Sequence, residues 1–208
     1  MGRSKSSQRW LQEYRSDPFV QQAQKDGYRS RAVYKLAWLQ QRDQFLRPGM
    51  CVVELGAAPG GWTQYLSQHI GDHGRIIASD VLSMDTFAGV EFIQGDFTEI
   101  SVYDAIVASM QNQQADLVLS DMAPNMSGIE AVDQPKSIYL VELAAELAAK
   151  LLRPGGSFVS KVFQGSGFDA LIRSLRNEYR SVKVRKPDAS RSRSKEVYVV
   201  ALGHNTQH

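Results

Sequence analysis

Apolar runs rich in β-branched residues recur along the chain at Cys51 to Leu55, Arg75 to Ser79, Val90 to Ile93, Ala115 to Ser120 and Ser157 to Val162. Helical patterns separate most of them: Ser30 to Gln44 precedes the first run, and Trp62 to His69, Val102 to Gln111, Lys136 to Leu151 and Phe168 to Asn177 follow in turn. Strand runs buried on both faces and joined by helices predict a parallel α/β sheet with helices on either side. Pro154, Gly155 and Gly156 read as the stop after the fourth of those helices. The end of the chain breaks the rule. Val182 to Val184 and Glu196 to Leu202 look like strands joined by a long basic loop with no helix between them, so an antiparallel pair is expected at one edge of the sheet.

In such a sheet a ligand sits beyond the carboxyl ends of the strands, and the turn after the first strand is where it approaches the main chain. Here that turn is "ELGAAPGGW", Glu54 to Trp62. Its small residues, Gly56, Ala57, Ala58, Gly60 and Gly61, clear side-chain bulk from the path of an incoming group. A phosphate-binding P-loop needs a Lys and a Ser or Thr directly after its glycines, and Trp62-Thr63 does not supply them. A dinucleotide fingerprint needs G-x-G-x-x-G, and the glycines here are spaced otherwise. A tight turn with a purely structural purpose remains open at this point.

Two further acids occupy equivalent places. Asp80 closes the second run about twenty residues past the turn, where a carboxylate accepts both hydroxyls of a ribose. Asp96, in "IQGDFTEI", follows the third run, placed to accept from an adenine amino group while Phe97 offers an apolar surface. Each acid alone is equally explained as a cap or loop residue. Asp121 ends the fourth run in "SDMAPNMSG", and Lys161 ends the fifth in "SFVSKVFQGSGF". An ammonium inside an apolar run is costly unless partners relieve it.

Charge is informative only through its distribution, because the formal net charge is +2. Arg3, Lys5, Arg9 and Arg15 lead into Lys25, Arg29, Arg31 and Lys35, and Lys183, Arg185, Lys186, Arg191, Arg193 and Lys195 crowd the other end. Basic tracts interleaved with Ser and Gln suit phosphate contacts, or else a solvated tail. Arg29, Arg31, Lys183, Arg185, Arg191 and Arg193 are the candidates for such phosphate contacts. The single cysteine, Cys51, allows neither an internal disulfide nor a cysteine zinc site. His69, His73, His204 and His208 are scattered, so no metal is expected. No run approaches the roughly 20 apolar residues of a membrane span, and the first residues carry no apolar core behind their charges, so a cytoplasmic, reduced protein is expected.

The acid-Gly-x-x-Pro-Gly-Gly-Trp turn resembles the first motif of S-adenosylmethionine (SAM) methyltransferases, in which it accommodates the amino-acid part of a cofactor without phosphates. The resemblance then sharpens. Lys35 in "RSRAVYKLAWLQ", Asp121, Lys161 and Glu196 match, in order and context, the K-D-K-E tetrad of the FtsJ/RrmJ (RlmE) family of SAM-dependent RNA 2′-O-ribose methyltransferases. The likeness runs from "SSQRWLQE" and "FVQQAQK" through "PGMCVVELGAAPGGW", "SDMAPNMSG" and "PGGSFVSKVFQG" to "VKVRKPDASRSRSKEVY", with no departure at a motif position.

What it implies is a Rossmann-like, seven-stranded, mostly parallel sheet with an antiparallel edge strand. Its substrate would be a uridine ribose in the A loop of 23S rRNA, within the large (50S) subunit or a late precursor. Lys35, Asp121, Lys161 and Glu196 would be catalytic, and Gly60, Trp62, Asp80, Asp96 and Asp121 would contact SAM. Residues 1–30 would form a basic extension, 31–203 the catalytic domain and 204–208 a tail, in a monomer. Lys161 would serve as general base or steer the hydroxyl, Asp121 would orient it, and Lys35 and Glu196 would set substrate position and local charge. Three alternatives stay open: nitrogen methylation through "SDMAPN", an RNA assembly factor whose catalysis is incidental, and a transfer-RNA or messenger-cap substrate.

Overall fold

The computed structural model describes residues 16–205. Arg3, Lys5, Arg9, Arg15 and His208, the first half of the basic extension and the last three residues of the tail lie outside them. The elements are α1 (Pro18–Lys25), α2 (Val33–Asp43), β1 (Cys51–Leu55), α3 (Gly61–Ile70), β2 (Arg75–Asp80), β3 (Val90–Gln94), α4 (Ile100–Ser109), β4 (Ala115–Ser120), α5 (Glu130–Leu151), β5 (Leu152–Phe163), α6 (Phe168–Glu178), β6 (Tyr179–Arg185) and β7 (Glu196–His204). The seven strands form one sheet in the order β3-β2-β1-β4-β5-β7-β6. Strands β1 to β5 pair in parallel. β7 runs antiparallel to both its neighbours, β5 and β6. The reversed strand therefore sits one place in from the edge, and β6 closes the sheet.

Side-chain alternation along β1 explains the two-layered core. Cys51, Val53 and Leu55 point into one cluster, with α4, α5 and α6. Val52 points into the other, with Leu36 and Leu39 of α2 and Trp62 and Leu66 of α3. Every residue of β1 is buried, as expected of a strand covered on both faces. The order reverses at β1, where β2 lies on one side and β4 on the other. That is where a crevice opens at the carboxyl ends.

Three elements differ from the sequence expectation for identifiable reasons. Pro18–Lys25 is a helix, started by Asp17, whose side chain accepts from the Phe19 amide, and by a proline in its first turn. α5 begins at Glu130, six residues before Lys136, with Pro135 inside it. That proline falls in the second turn, and the segment before it is gathered by Asp133, whose carboxylate accepts from the Ser127 amide and hydroxyl and the Gly128 amide. Pro154-Gly155-Gly156 do follow the end of α5 at Leu151, but the strand begins at Leu152, five residues before the expected Ser157. β5 already pairs with β4 at Leu152, and the register shift between Ala115 and Leu117 absorbs the extra residues as a bulge.

Candidate active site

The turn after β1 is shaped by its own neighbours. Gly56 has φ +77°, and a Cβ there would stand 2.6 Å from Met122 Cγ and 3.1 Å from Met122 N. Gly60 has φ +100°, and a Cβ would meet Phe87 at 2.9 Å and Arg29 Nη1 at 3.0 Å. A Cβ on Gly61 would lie 2.3 Å from Ser30 Oγ. α3 then starts at Gly61 with no side-chain cap from Gly60, and the Thr63 amide in its first turn donates to Glu54.

The acids flank this turn. Asp80 accepts from the Ala58 amide through Oδ2 at 2.9 Å and from the Leu82 amide through Oδ1 at 2.8 Å. It ties the turn after β1 to the loop after β2. Asp96 accepts from the Thr98 amide and hydroxyl, both through Oδ1, which fixes the carboxyl group while Oδ2 stays outside that turn. Phe97 is buried in the α4–α6 core, 8% exposed. Trp62 is 2% exposed, and its Nε1 donates to Ala32 O at 2.8 Å. Its indole is thus part of the α2–α3 layer.

At the other side of the crevice the tetrad comes together as two ion pairs. Lys161 Nζ lies 3.2 Å from Asp121 Oδ1 and also donates to Asp121 O. Lys35 Nζ lies 2.7 Å from Glu196 Oε1. The four side chains are only 10–19% exposed. Topology explains the convergence: β5 and β7 pair antiparallel with Phe163 opposite Glu196 and Lys161 opposite Tyr198. Period-two alternation then puts Lys161, Glu196 and Tyr198 on one face, the face that α2 covers with Lys35.

Tyr198 joins the two pairs. Its hydroxyl donates to Asp121 Oδ1 at 2.7 Å, Lys35 Nζ lies 5.7 Å from its ring centroid, and Trp62 packs against it with centroids 5.8 Å apart. Burial holds its hydroxyl well above the usual tyrosine range, and Asp121 and Glu196 push the same way, so it remains a donor. For Glu196 burial alone would raise the carboxyl. Lys35, the Ser190 hydroxyl at 2.7 Å and the nearby Lys161 outweigh it, and the group ends below the usual glutamate range.

Glu54 is a different case. It is 1% exposed, and burial, opposed by a 2.7 Å hydrogen bond from Thr63 and reinforced by Asp121 and Asp80, pushes its carboxyl up to about 8.

Tyr198, Ser190 and Thr63 were not singled out from the sequence. Tyr198 could have been, since it stands two residues beyond Glu196 on a strand and must share its face. Ser190 reaches back across a loop, and no local signal marks it.

The basic candidates divide. Arg191 and Arg193 are exposed on the β6–β7 loop. Lys183 and Arg185 converge on Asp43 at 2.8–3.0 Å, a carboxylate with a fully buried side chain. They pin the end of α2 to β6. Arg31 pairs with Asp17 and donates to Ala189 O. Arg29 Nη1 donates to Asp85 O at 2.5 Å, and its guanidinium lies over Phe87.

A doubly wound sheet with a reversed penultimate strand, a glycine turn after β1 and acids after β2 and β3 defines a Rossmann-like methyltransferase. Comparison with known proteins narrows this. The FtsJ-like methyltransferase family matches residues 28–204, and the chain belongs to that family of enzymes. It is 58% identical over 203 residues to the ribosomal RNA large subunit methyltransferase E of Cellvibrio japonicus, covering 98% of this chain and 96% of that one. It is 57% identical to the protein of the same name from Pseudomonas aeruginosa, covering 98% of both. Among solved structures, a ribosomal RNA methyltransferase from Plasmodium falciparum superposes with a TM-score of 0.78 at 27% identity, covering 85% of this chain and 98% of that one.

Proposed function

We propose that this enzyme transfers a methyl group from SAM to the ribose 2′-hydroxyl of a uridine in the A loop of 23S rRNA, in the large ribosomal subunit or its late precursor. The observation that carries the reading is the meeting of Lys161–Asp121 with Lys35–Glu196, on the sheet whose first strand ends in the glycine turn. The relatives' names support ribosomal RNA as the substrate class.

The residues fit the donor. Gly56, Gly60 and the start of α3 would receive its amino-acid end, Asp80 its ribose and Asp96 its adenine, with Phe97 alongside. When bound, the donor supplies a methyl group on a positively charged sulfur, a leaving group that needs no further activation. The chain's task is then to place an oxygen in line and dispose of one proton. Lys161, fixed by both the carboxylate and the carbonyl of Asp121, presents an ammonium that donates to the 2′-oxygen and aims its lone pair at the methyl carbon. A carboxylate of the network, or water, would take the hydroxyl proton as the oxygen accepts the methyl group that the bound donor would supply. Nitrogen methylation gives no reason for two lysines. Lys35 and Glu196 hold the sugar and keep the local charge balanced. Arg191 and Arg193 would meet RNA phosphates, in contacts that weaken as salt rises.

Mass spectrometry of ribosomal RNA from cells lacking this protein tests the reading. The expected result is one missing ribose methyl in the large-subunit RNA, restored by the wild-type gene and not by a Lys161→Ala copy. An unchanged set of ribose methyls would refute it.

A further inference from the structure

Two segments distant in sequence border the donor side of the crevice: the turn after β1, and residues 81–89, which follow Asp80 without regular secondary structure. In that second segment Val81 and Leu82 are 60% and 65% exposed, and Met84 alone packs against the α2–α3 layer. Arg29 bridges the two. Its Nη1 donates to Asp85 O at 2.5 Å and reaches Pro59 O at 3.5 Å. Its guanidinium carbon lies 3.7 Å from the centroid of Phe87.

Arg29 is in turn placed by α3. Its amide donates to Gln64 Oε1 at 3.2 Å, and Gln64 Nε2 donates to Gly27 O at 2.9 Å. The lack of space at Gly60, which Phe87 and Arg29 fill together, shows how closely this bridge lies on the turn.

A guanidinium suits the task because it is planar. One face stacks on an aromatic ring while the edge donates to carbonyl oxygens, which an ammonium cannot do at once. To contact a phosphate, Arg29 would have to leave two carbonyls and a ring. We propose that Arg29, with Phe87, is a latch that holds the 81–89 segment against the glycine-rich turn and so positions the methyl donor, in place of the phosphate contact expected from its charge. This rests on the donor reading above. Arg29 acts through the loop, and so it is a positioning residue.

Calorimetric titration with S-adenosylhomocysteine, on wild type, Arg29→Ala, Arg29→Lys, Phe87→Ala and the double variant Arg29→Ala/Phe87→Ala, tests it. Arg29→Ala and Phe87→Ala should each weaken binding by roughly 3- to 10-fold, the scale of a cation–π contact and its hydrogen bonds. The double variant should be no weaker than the worse single one, because the two act as a unit, and Arg29→Lys should recover only part of the loss. The slope of large-subunit affinity against salt should match wild type in Arg29→Ala, whereas Arg191→Ala should lower it by about 1. Wild-type homocysteine-product binding in Arg29→Ala, with a reduced salt slope, would overturn the latch and make Arg29 a phosphate contact. No binding to the wild-type protein would overturn the donor reading and the latch with it.

Discussion

The crevice has two sides built from different materials. On the β1–β3 side the glycine turn is kept open by what its neighbours forbid, and its acids are fixed by backbone amides of adjacent turns. On the β4–β5–β7 side the backbone supplies one contact, Asp121 O accepting from Lys161, and the rest is set by side chains. Side chains from α2, β4, β5 and β7 hold one another through two ion pairs and a tyrosine. The contrast teaches that donor binding and methyl transfer should be separable by mutation, the first sensitive to backbone space and the second to side-chain chemistry.

The largest effect should come from Lys161→Ala. Single-turnover transfer to large subunits should fall by about 10²–10⁴-fold, the range for a positioned proton-handling or steering group. Affinity for S-adenosylhomocysteine should stay within about twofold, and a parallel loss of both would erase the distinction between the two sides. On the other side, Gly56→Ala should do the reverse. Its Cβ would press on Met122 at 2.6 Å in a backbone conformation that side chains rarely adopt. A loss of roughly 1–3 kcal/mol in stability and a weakened donor affinity are expected, read by chemical denaturation and calorimetry.

Glu54 sharpens the comparison because it is the one fully buried acid of the donor side. A carboxyl held at about 8 binds its proton more tightly folded than unfolded. Its contribution is complete below the ordinary glutamate range and is lost as pH rises from about 4.5 to about 8. Glu54→Gln should therefore flatten that fall, making the variant more stable than wild type at pH 8.5 by up to roughly 3–5 kcal/mol and little different at pH 5. Denaturant midpoints at the two values decide it, and equal pH dependence in both proteins would remove the argument.

The smallest effect is expected of Tyr198→Phe. It deletes the 2.7 Å hydrogen bond to Asp121 while keeping the ring under Lys35 and against Trp62. Transfer should slow by roughly 3- to 10-fold, with stability changed by about 1 kcal/mol. Loss of donor affinity in this variant would show that the tyrosine serves the other side of the crevice.

The same contrast explains what could be read from the chain before its structure. β1 and β4 match the expected bounds because strands covered on both faces are continuous apolar runs. The sheet's first half followed from its βα repeats, and the glycine turn is contiguous in sequence. Lys35 and Glu196 are ordinary residues by local criteria. Only family resemblance placed them, since their meeting depends on β7 pairing antiparallel with β5.

Charge alone did not reveal a remote partner: Lys183 and Arg185 read as a phosphate tract, and the structure pairs both with Asp43, some 140 residues earlier. Trp62 stands in the motif, but its indole is occupied with Ala32 O and Tyr198. Proline misled once, because Pro135 looks like a helix boundary and lies inside α5, where the second turn loses a single amide.

The most direct test of this account is the chemical position of the transferred methyl. Large subunits from cells lacking the protein, given isotope-labelled SAM and a stoichiometric amount of enzyme, would be digested to nucleosides and analysed. The account expects the label in a single 2′-O-methyluridine, and none with Lys161→Ala. Label on a base nitrogen, or spread over several nucleosides, would contradict it, for the paired lysines and carboxylates would then have no hydroxyl to act upon.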